Sequence, residues 1–156
     1  MKVIVNLLFP HKEQSLNSSI LLLGMRIIFG ALFLNHGIQK AMNFETLSAT
    51  FPDPLGVGSE FSLILAIFGE VACSILFILG LFHRFALIPM MVTMLVAFFI
   101  IHGADPFAVK ELALVYLVVF AFMWLAGPGR FSADHSLGKL IRNKLGFQEP
   151  QRATYY

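Results

Sequence analysis

The sequence has few charged residues and a single cysteine for its length. Only 13% of the 156 residues are Asp, Glu, Lys or Arg, whereas 58% are hydrophobic. A soluble globule of this composition would lack the polar surface that it needs. Cys73 stands alone within an apolar run, which excludes an internal disulfide and a CxxC redox pair. These absences indicate an integral membrane protein of one domain, without a soluble catalytic module.

Motifs for metals, nucleic acid and export are also missing. No HxxxH or CxxC spacing occurs, so we predict no metal site, and haem ligation by His36 and His102 is a less favoured hypothesis. The net charge of +2 is small, and its basic residues are scattered over short connections and the tail. This pattern favours membrane lipids over nucleic acid as partners. Residues 1–17 have no small-residue cleavage site and are predicted to form a cytoplasmic or interfacial stub.

Four long apolar segments follow one another along the chain. The predicted membrane-spanning helices are 18–41, 61–82, 85–103 and 108–126. Each has the length of about 20 residues that a helix needs to cross the hydrocarbon core. The short connection at His83 and Arg84 makes the second and third helices antiparallel neighbours. The sequence therefore predicts an all-α fold, an integral membrane four-helix bundle over residues 18–127.

Residues 128–156 form a basic tail. Its leucines and isoleucine recur at helical spacing against Lys and Arg, which predicts a short amphipathic helix on an anionic leaflet: Leu137, Leu140, Ile141 and Leu145. Basic residues near the span ends favour one side of the membrane: Lys12, Arg84, Arg130, Lys139, Arg142 and Lys144 against Lys40 and Lys110. The positive-inside rule then puts both termini in the cytoplasm of a bacterial cell, with a multi-pass protein in its inner membrane.

Two charges, Arg26 and Glu70, lie deep inside the predicted spans. Arg26 lies ten residues before His36, and Glu70 lies nine residues after Phe61. These separations correspond to similar depths, about 15 and about 13 Å from the same surface. Because an isolated charge is costly in hydrocarbon, we predict that both face the bundle interior as an ion pair. The pair either marks a functional site or only fixes helix packing, and the sequence leaves both hypotheses open.

Polar residues also gather at the outer ends of the helices and predict a polar, substrate-binding vestibule there. Its candidate residues are Asn35, His36, Gln39, Lys40, His102, Lys110 and Glu111. The first helix is expected to be central, because Gly30 and Gly37 share a face with Lys40 and allow another helix to approach closely. Interfacial anchoring is the alternative explanation for Lys40, Lys110 and Glu111.

Over about residues 20–134 these features resemble the DoxX family of four-helix bacterial membrane proteins. The resemblance rests on RIIFGALFLNHGIQK at 26–40, EVACSILFILGLFHR at 70–84, and Glu111 followed by GPGRFSAD at 127–134. The sequence departs from the family pattern at Ala72 and Cys73, where two small glycines are expected, and at Ala133, where Leu is usual. The first change is between small residues and the second is peripheral.

The resemblance implies a link to redox chemistry, since similar members are connected with the membrane subunit of a thiosulfate:quinone oxidoreductase. The leading hypothesis is therefore an accessory or subunit of a quinone-linked redox system, oxidoreductase-associated. Glu70 and His36 are its candidate catalytic groups for proton handling, with Arg26 keeping Glu70 ionised and Lys40 attracting an anionic substrate. The cofactor is not identified. A quinone is the candidate, and electrons must come from a redox partner protein or from the substrate because no electron-storage motif occurs.

Other functions remain open at this point. Related animal proteins look like chaperones or sterol-handling proteins, so the alternative is a non-enzymatic membrane chaperone, assembly or lipophilic-ligand-binding protein. Transport of a small anion or proton is the least supported hypothesis, because the sequence offers no inverted repeat or broken helix. Whether the chain is an enzyme, and whether it forms oligomers, is left open.

Overall fold

The computed structural model describes residues 14–144, which form helices joined by short connections. The helices of this part are α1 (Leu16–Met42), α2 (Phe44–Leu47), α3 (Ser59–Leu79), α4 (His83–Ile101), α5 (Phe107–Ala126) and α6 (Ala133–Lys144). No strand occurs among these residues. Most of the predicted N-terminal stub lies outside the described residues, as does Leu145 of the predicted tail helix.

Four of these helices, α1, α3, α4 and α5, are long and apolar enough to cross a membrane. They contain 27, 21, 19 and 20 residues. At a rise of about 1.5 Å per residue, each spans or nearly spans the hydrocarbon core of about 30 Å. Their outward faces are apolar, as at Ile28 and Phe122, so these helices suit a lipid solvent. The prediction of an all-α membrane bundle is confirmed.

The helix ends differ from the predicted ones for local reasons. The Ser15 hydroxyl accepts a hydrogen bond from the Ser18 N–H, so α1 begins two residues before the predicted start. Gly80 has a φ of 65°, a left-handed conformation that ends α3 at Leu79, three residues before the predicted end. Phe82 is also left-handed, with a φ of 46°, and α4 begins directly after it.

Asp134 at the start of α6 caps the start of α4. Its two carboxylate oxygens accept hydrogen bonds from the backbone N–H groups of Phe82 (2.8 Å) and His83 (2.9 Å). Its own N–H donates to the Gly80 carbonyl at 2.9 Å. Burial raises the pKa of the Asp134 carboxyl, while the N–H groups of His83 and Phe82 and the charge of Arg26 oppose that rise. The carboxylate thus satisfies two helix-terminal donors that would otherwise be unpaired.

Helix packing brings the four long helices around one core. α1 packs on α3, α3 on α4, and α4 on α5. α1 and α5 meet through aromatic side chains, with the Phe33 ring 5.2 Å from that of Tyr116 and 5.1 Å from that of Phe120. Asp134 lies at one end of this bundle, here named the Asp134 end, and Lys40 lies towards the other, the Lys40 end.

Candidate functional site

A cavity of about 580 Å³ lies between α1, α3, α4 and α5 towards the Lys40 end. Its walls are mainly apolar side chains of the four helices, among them Phe33, Leu65, Phe68, Pro89, Val92, Met94, Leu112 and Ala113. The connection between α2 and α3 covers the end of the cavity with Phe51, Pro52, Pro54 and Leu55. A volume in this range, with apolar walls and a few polar groups, is typical of sites for small organic ligands.

Lys40 and Glu70 form an ion pair in the cavity wall. The Lys40 Nζ lies 2.5 Å from a carboxylate oxygen of Glu70. The Glu70 side chain is 4% exposed and that of Lys40 is 27% exposed. An ionised carboxylate at this burial needs a partner, and the ammonium supplies it at hydrogen-bonding distance. The two charges compensate each other inside an otherwise apolar space.

Local backbone geometry brings these two side chains together. Glu70 lies in a π-helical turn of α3, Phe68–Ala72, and such turns occur frequently at functional sites. Across from it, Gly37 of α1 packs so closely that a Cβ there would lie 2.7 Å from the Glu70 Cβ. Lys40 lies three residues beyond Gly37, on the same side of α1. The missing side chain of Gly37 therefore lets Lys40 reach Glu70.

The predicted ion pair between Arg26 and Glu70 is wrong. The Arg26 guanidinium donates to the Phe131 carbonyl and lies against Gly80, at the Asp134 end. The prediction assumed that His36 and Phe61 lie at the same height, whereas Gly37 of α1 packs directly on Glu70 of α3. Arg26 lies 11 residues before Gly37. This separation corresponds to about 17 Å along α1, so the two charges are at different depths.

His36 lines the cavity one helical turn from Lys40. Its ring meets the Tyr116 ring edge-on, with centroids 6.2 Å apart. It is also near enough to Glu70 to interact with it electrostatically. Tyr116 is buried and also lines the cavity. One imidazole, one ammonium and one carboxylate therefore lie along the same wall.

Of the other predicted vestibule residues, only His102 lines the cavity. Its Nδ1 lies 2.7 Å from a carboxylate oxygen of Asp105. Lys110 donates to the Gly103 carbonyl at 2.9 Å and lies over the Phe98 ring. Three others lie exposed outside the cavity: Asn35, Gln39 and Glu111. Asn35 and Gln39 fall on the outer side of α1 because a helix turns by about 100° per residue, away from the face of His36 and Lys40.

Sequence reasoning missed the hydrogen bonds that hold the connection between α2 and α3 over the end of the cavity. The Asp53 carboxylate accepts hydrogen bonds from the N–H groups of Val57 and Gly58 and from the hydroxyl of Ser62. The bonds from Ser62 and Gly58 hold the pKa of Asp53 below its usual range. Ser62 itself lines the cavity. An Asp between two prolines, followed by glycines, was the available signal for such a turn.

The site offers hydrogen-bond donors to a neutral, largely apolar ligand. Lys40 and His36 can each donate to a carbonyl oxygen, and Glu70 can accept or release a proton beside them. Because Lys40 compensates Glu70, the wall carries little net charge and does not repel an uncharged ring. Within residues 14–144, no three side chains of His, Cys, Asp or Glu lie close enough together to hold a metal ion. Lipophilic-ligand binding is the chemistry that this arrangement suits.

Comparison with known proteins finds a matching family model and similar bacterial proteins. The DoxX family model matches residues 21–103, which include most of α1 and all of α3 and α4. An uncharacterized protein of Haemophilus influenzae is 34% identical over 122 residues, covering 74% of this chain and 89% of that protein. An uncharacterized membrane protein of Mycobacterium tuberculosis is 29% identical over 140 residues, covering 74% of this chain and 80% of that protein. No solved structure matches the chain at a significant level.

Proposed function

Because the chain belongs to the DoxX family of membrane proteins, we propose that it is a quinone-binding subunit or accessory of a membrane redox system. The observation that carries this proposal is the placement of Lys40, Glu70 and His36 in the wall of an apolar cavity between membrane-spanning helices. A polar group is costly at that depth unless it is paired, and such groups in membrane proteins are functional candidates by default.

A quinone fits this cavity in shape and chemistry. A flat ring can pack against Phe33, Phe68 and Tyr116, and its two oxygens accept hydrogen bonds but donate none. The donors on the wall, Lys40 and His36, complement such oxygens. The paired charges of Lys40 and Glu70 leave the cavity suited to an uncharged ligand. This fit supports the proposal.

In this proposal the residues position the ligand and handle protons. A bound quinone takes up two electrons and two protons on reduction, and a partner protein supplies the electrons. Lys40 and His36 each donate a hydrogen bond to a quinone oxygen. Glu70, paired with Lys40, accepts a proton and releases it towards the cavity. His36, beside Glu70, is the second group able to carry a proton.

A binding or assembly role without turnover is the second candidate. It is favoured by one observation, that the Lys40–Glu70 pair also joins α1 to α3 where Gly37 packs on Glu70. In that case the pair fixes helix packing, and the cavity holds a lipophilic ligand that is not converted. For either role we propose the bacterial inner membrane, with both termini in the cytoplasm, from the distribution of Lys and Arg.

Replacing His36 with Leu is expected to weaken quinone binding about tenfold, because the loss of one hydrogen bond to the ligand costs about 1.4 kcal/mol. The measurement is saturable binding of decylubiquinone to the purified protein in nanodiscs. Asn35→Leu is the matched control, since Asn35 is the neighbouring residue but does not line the cavity. Its affinity should stay within about twofold of the unchanged protein. Absence of saturable binding, or equal losses in both variants, would contradict the proposed site.

Turnover separates the two candidate roles. Glu70→Gln keeps the size of the side chain but removes the carboxyl group that could accept and release a proton. In native membranes the redox role predicts that this variant lowers the rate of quinone reduction by about tenfold or more, provided that folding and quinone binding persist. An unchanged rate with retained binding would instead support the binding or assembly role.

A further inference from the structure

The helices α3 and α4 cross closely at one point and separate beyond it. At the crossing, a Cβ on Gly69 would lie 2.7 Å from the Thr93 Oγ1 and 3.5 Å from the Pro89 carbonyl oxygen. From the crossing towards the Asp134 end, α3 packs on α4 through Cys73–Leu79. Towards the Lys40 end, Ser59–Ile67 does not pack closely on α4. A gap between the two helices therefore opens on the same side as the cavity.

The side chains along this gap face the cavity and the surrounding lipid at once. Leu65 and Phe68 of α3 and Val92 and Val96 of α4 all line the cavity. Three of them are also substantially exposed on the outside of the bundle: Leu65 at 40%, Phe68 at 51% and Val92 at 48%. All four are apolar, so lipid chains can lie against them without leaving a polar group unpaired.

The end of the cavity beneath the connection between α2 and α3 offers the ligand a much less suitable route. There Phe51, Pro52, Pro54 and Leu55 cover the opening. The Asp53 carboxylate holds this connection in place by accepting hydrogen bonds from the N–H of Gly58, just before α3, and from the hydroxyl of Ser62 in α3. A ligand with a long apolar chain would have to expose that chain to water there, at a cost of about 0.8 kcal/mol per CH₂ group.

We propose that the gap lined by Leu65, Phe68, Val92 and Val96 is a lateral portal between the cavity and the bilayer. The ligand is then an amphiphile with a compact polar head beside Lys40 and Glu70 and a long alkyl or isoprenoid tail that passes between α3 and α4 into the lipid. This inference rests on the proposed function, in that the cavity binds a lipophilic ligand. It adds the tail as the part of the ligand that the protein recognises, and the bilayer as its source.

The experiment compares two probes with the same head, decylubiquinone and its tailless parent ubiquinone-0, in nanodiscs. Affinities are expressed per mole of probe in the bilayer, so that simple partitioning of the tail into lipid does not count as binding. The unchanged protein should prefer decylubiquinone by about tenfold, because the fixed side chains of the portal make more van der Waals contacts with the tail than fluid lipid chains do. Val92→Trp, which fills the portal, should lower the affinity for decylubiquinone to that for ubiquinone-0.

Two further variants test whether a general loss of structure explains the effect of Val92→Trp. Leu65→Trp fills the same gap from α3 and should act like Val92→Trp. Val118→Trp places the same large ring on α5, at an exposed residue that does not line the cavity, and should leave the preference intact. A preference that survives both portal variants, or that Val118→Trp removes equally, would overturn the portal.

Failure of the proposed quinone function gives a different result. In that case neither probe binds to the unchanged protein, and the portal is tested by the lipids that copurify with it. The portal predicts a retained tailed amphiphile that is lost in Val92→Trp and kept in Val118→Trp. Equal lipid content in the two variants would reject the portal independently of quinone binding.

Discussion

Replacing Lys40 with Met is expected to lower the free energy of unfolding by about 3 kcal/mol, because it leaves the buried carboxylate of Glu70 without its partner. Met keeps much of the apolar stem of Lys, so the change removes the charge with little loss of packing. The free energy can be measured by unfolding the purified protein in mixed micelles at increasing SDS content. The same variant should also lose quinone binding.

Lys110→Met provides the control for a lysine near the same end of the bundle. Lys110 donates to the Gly103 carbonyl and is not paired with Glu70, so its loss should cost less than about 1 kcal/mol. Combining Lys40→Met with Glu70→Gln should restore most of the lost stability, since no uncompensated charge then remains. Equal effects of the two lysine variants, or no recovery in the double variant, would show that the pair does not stabilise the bundle.

Replacing Gly37 with Ala is expected to destabilise the protein by about 2 kcal/mol through overpacking. The added methyl group would lie 2.7 Å from the Glu70 Cβ and the Val71 Cγ2, and 2.9 Å from the Glu70 carbonyl carbon. A backbone atom cannot move aside as a flexible side chain can, so α1 and α3 must separate. Quinone affinity should fall as well, because the separation moves Lys40 away from Glu70.

Gly24→Ala on the same helix is the matched control. Among the described residues, no atom beyond the neighbouring turns of α1 lies within 4 Å of a Cβ built at Gly24, so the substitution meets no obstacle there. Ala also favours a helix by about 1 kcal/mol relative to Gly, and Gly24→Ala should therefore be neutral or stabilising. If the two variants had the same unfolding free energy and quinone affinity, the close approach at Gly37 would have no role in the site.

The spans were predictable from the sequence because long apolar runs have few other uses at this length. The face of α1 that carries Gly37 and Lys40 was predictable too, since helical spacing depends only on local geometry. The partner of Glu70 was not. Choosing between Arg26 and Lys40 requires the relative height of α1 and α3, and this depends on where each helix begins and on how closely Gly37 allows them to pack.

Contacts between distant parts of the chain could not be predicted from the sequence either. The motif that contains Asp134 was visible as part of a family pattern, but its role as a cap on Phe82 and His83 joins residues about fifty positions apart. Burial of Tyr116 in the cavity wall required the rotation of α5, which a uniformly apolar helix does not reveal. Sequence patterns describe the faces of single helices, whereas the site depends on how the helices meet.

Organic extraction of the protein purified from its native membrane, followed by mass spectrometry, tests the central claim most directly. The account predicts a quinone in stoichiometric amount in the unchanged protein and in Asn35→Leu, strongly depleted in Lys40→Met. An extract that contains only phospholipid, in equal amounts for all three proteins, would contradict a quinone site beside Lys40 and Glu70.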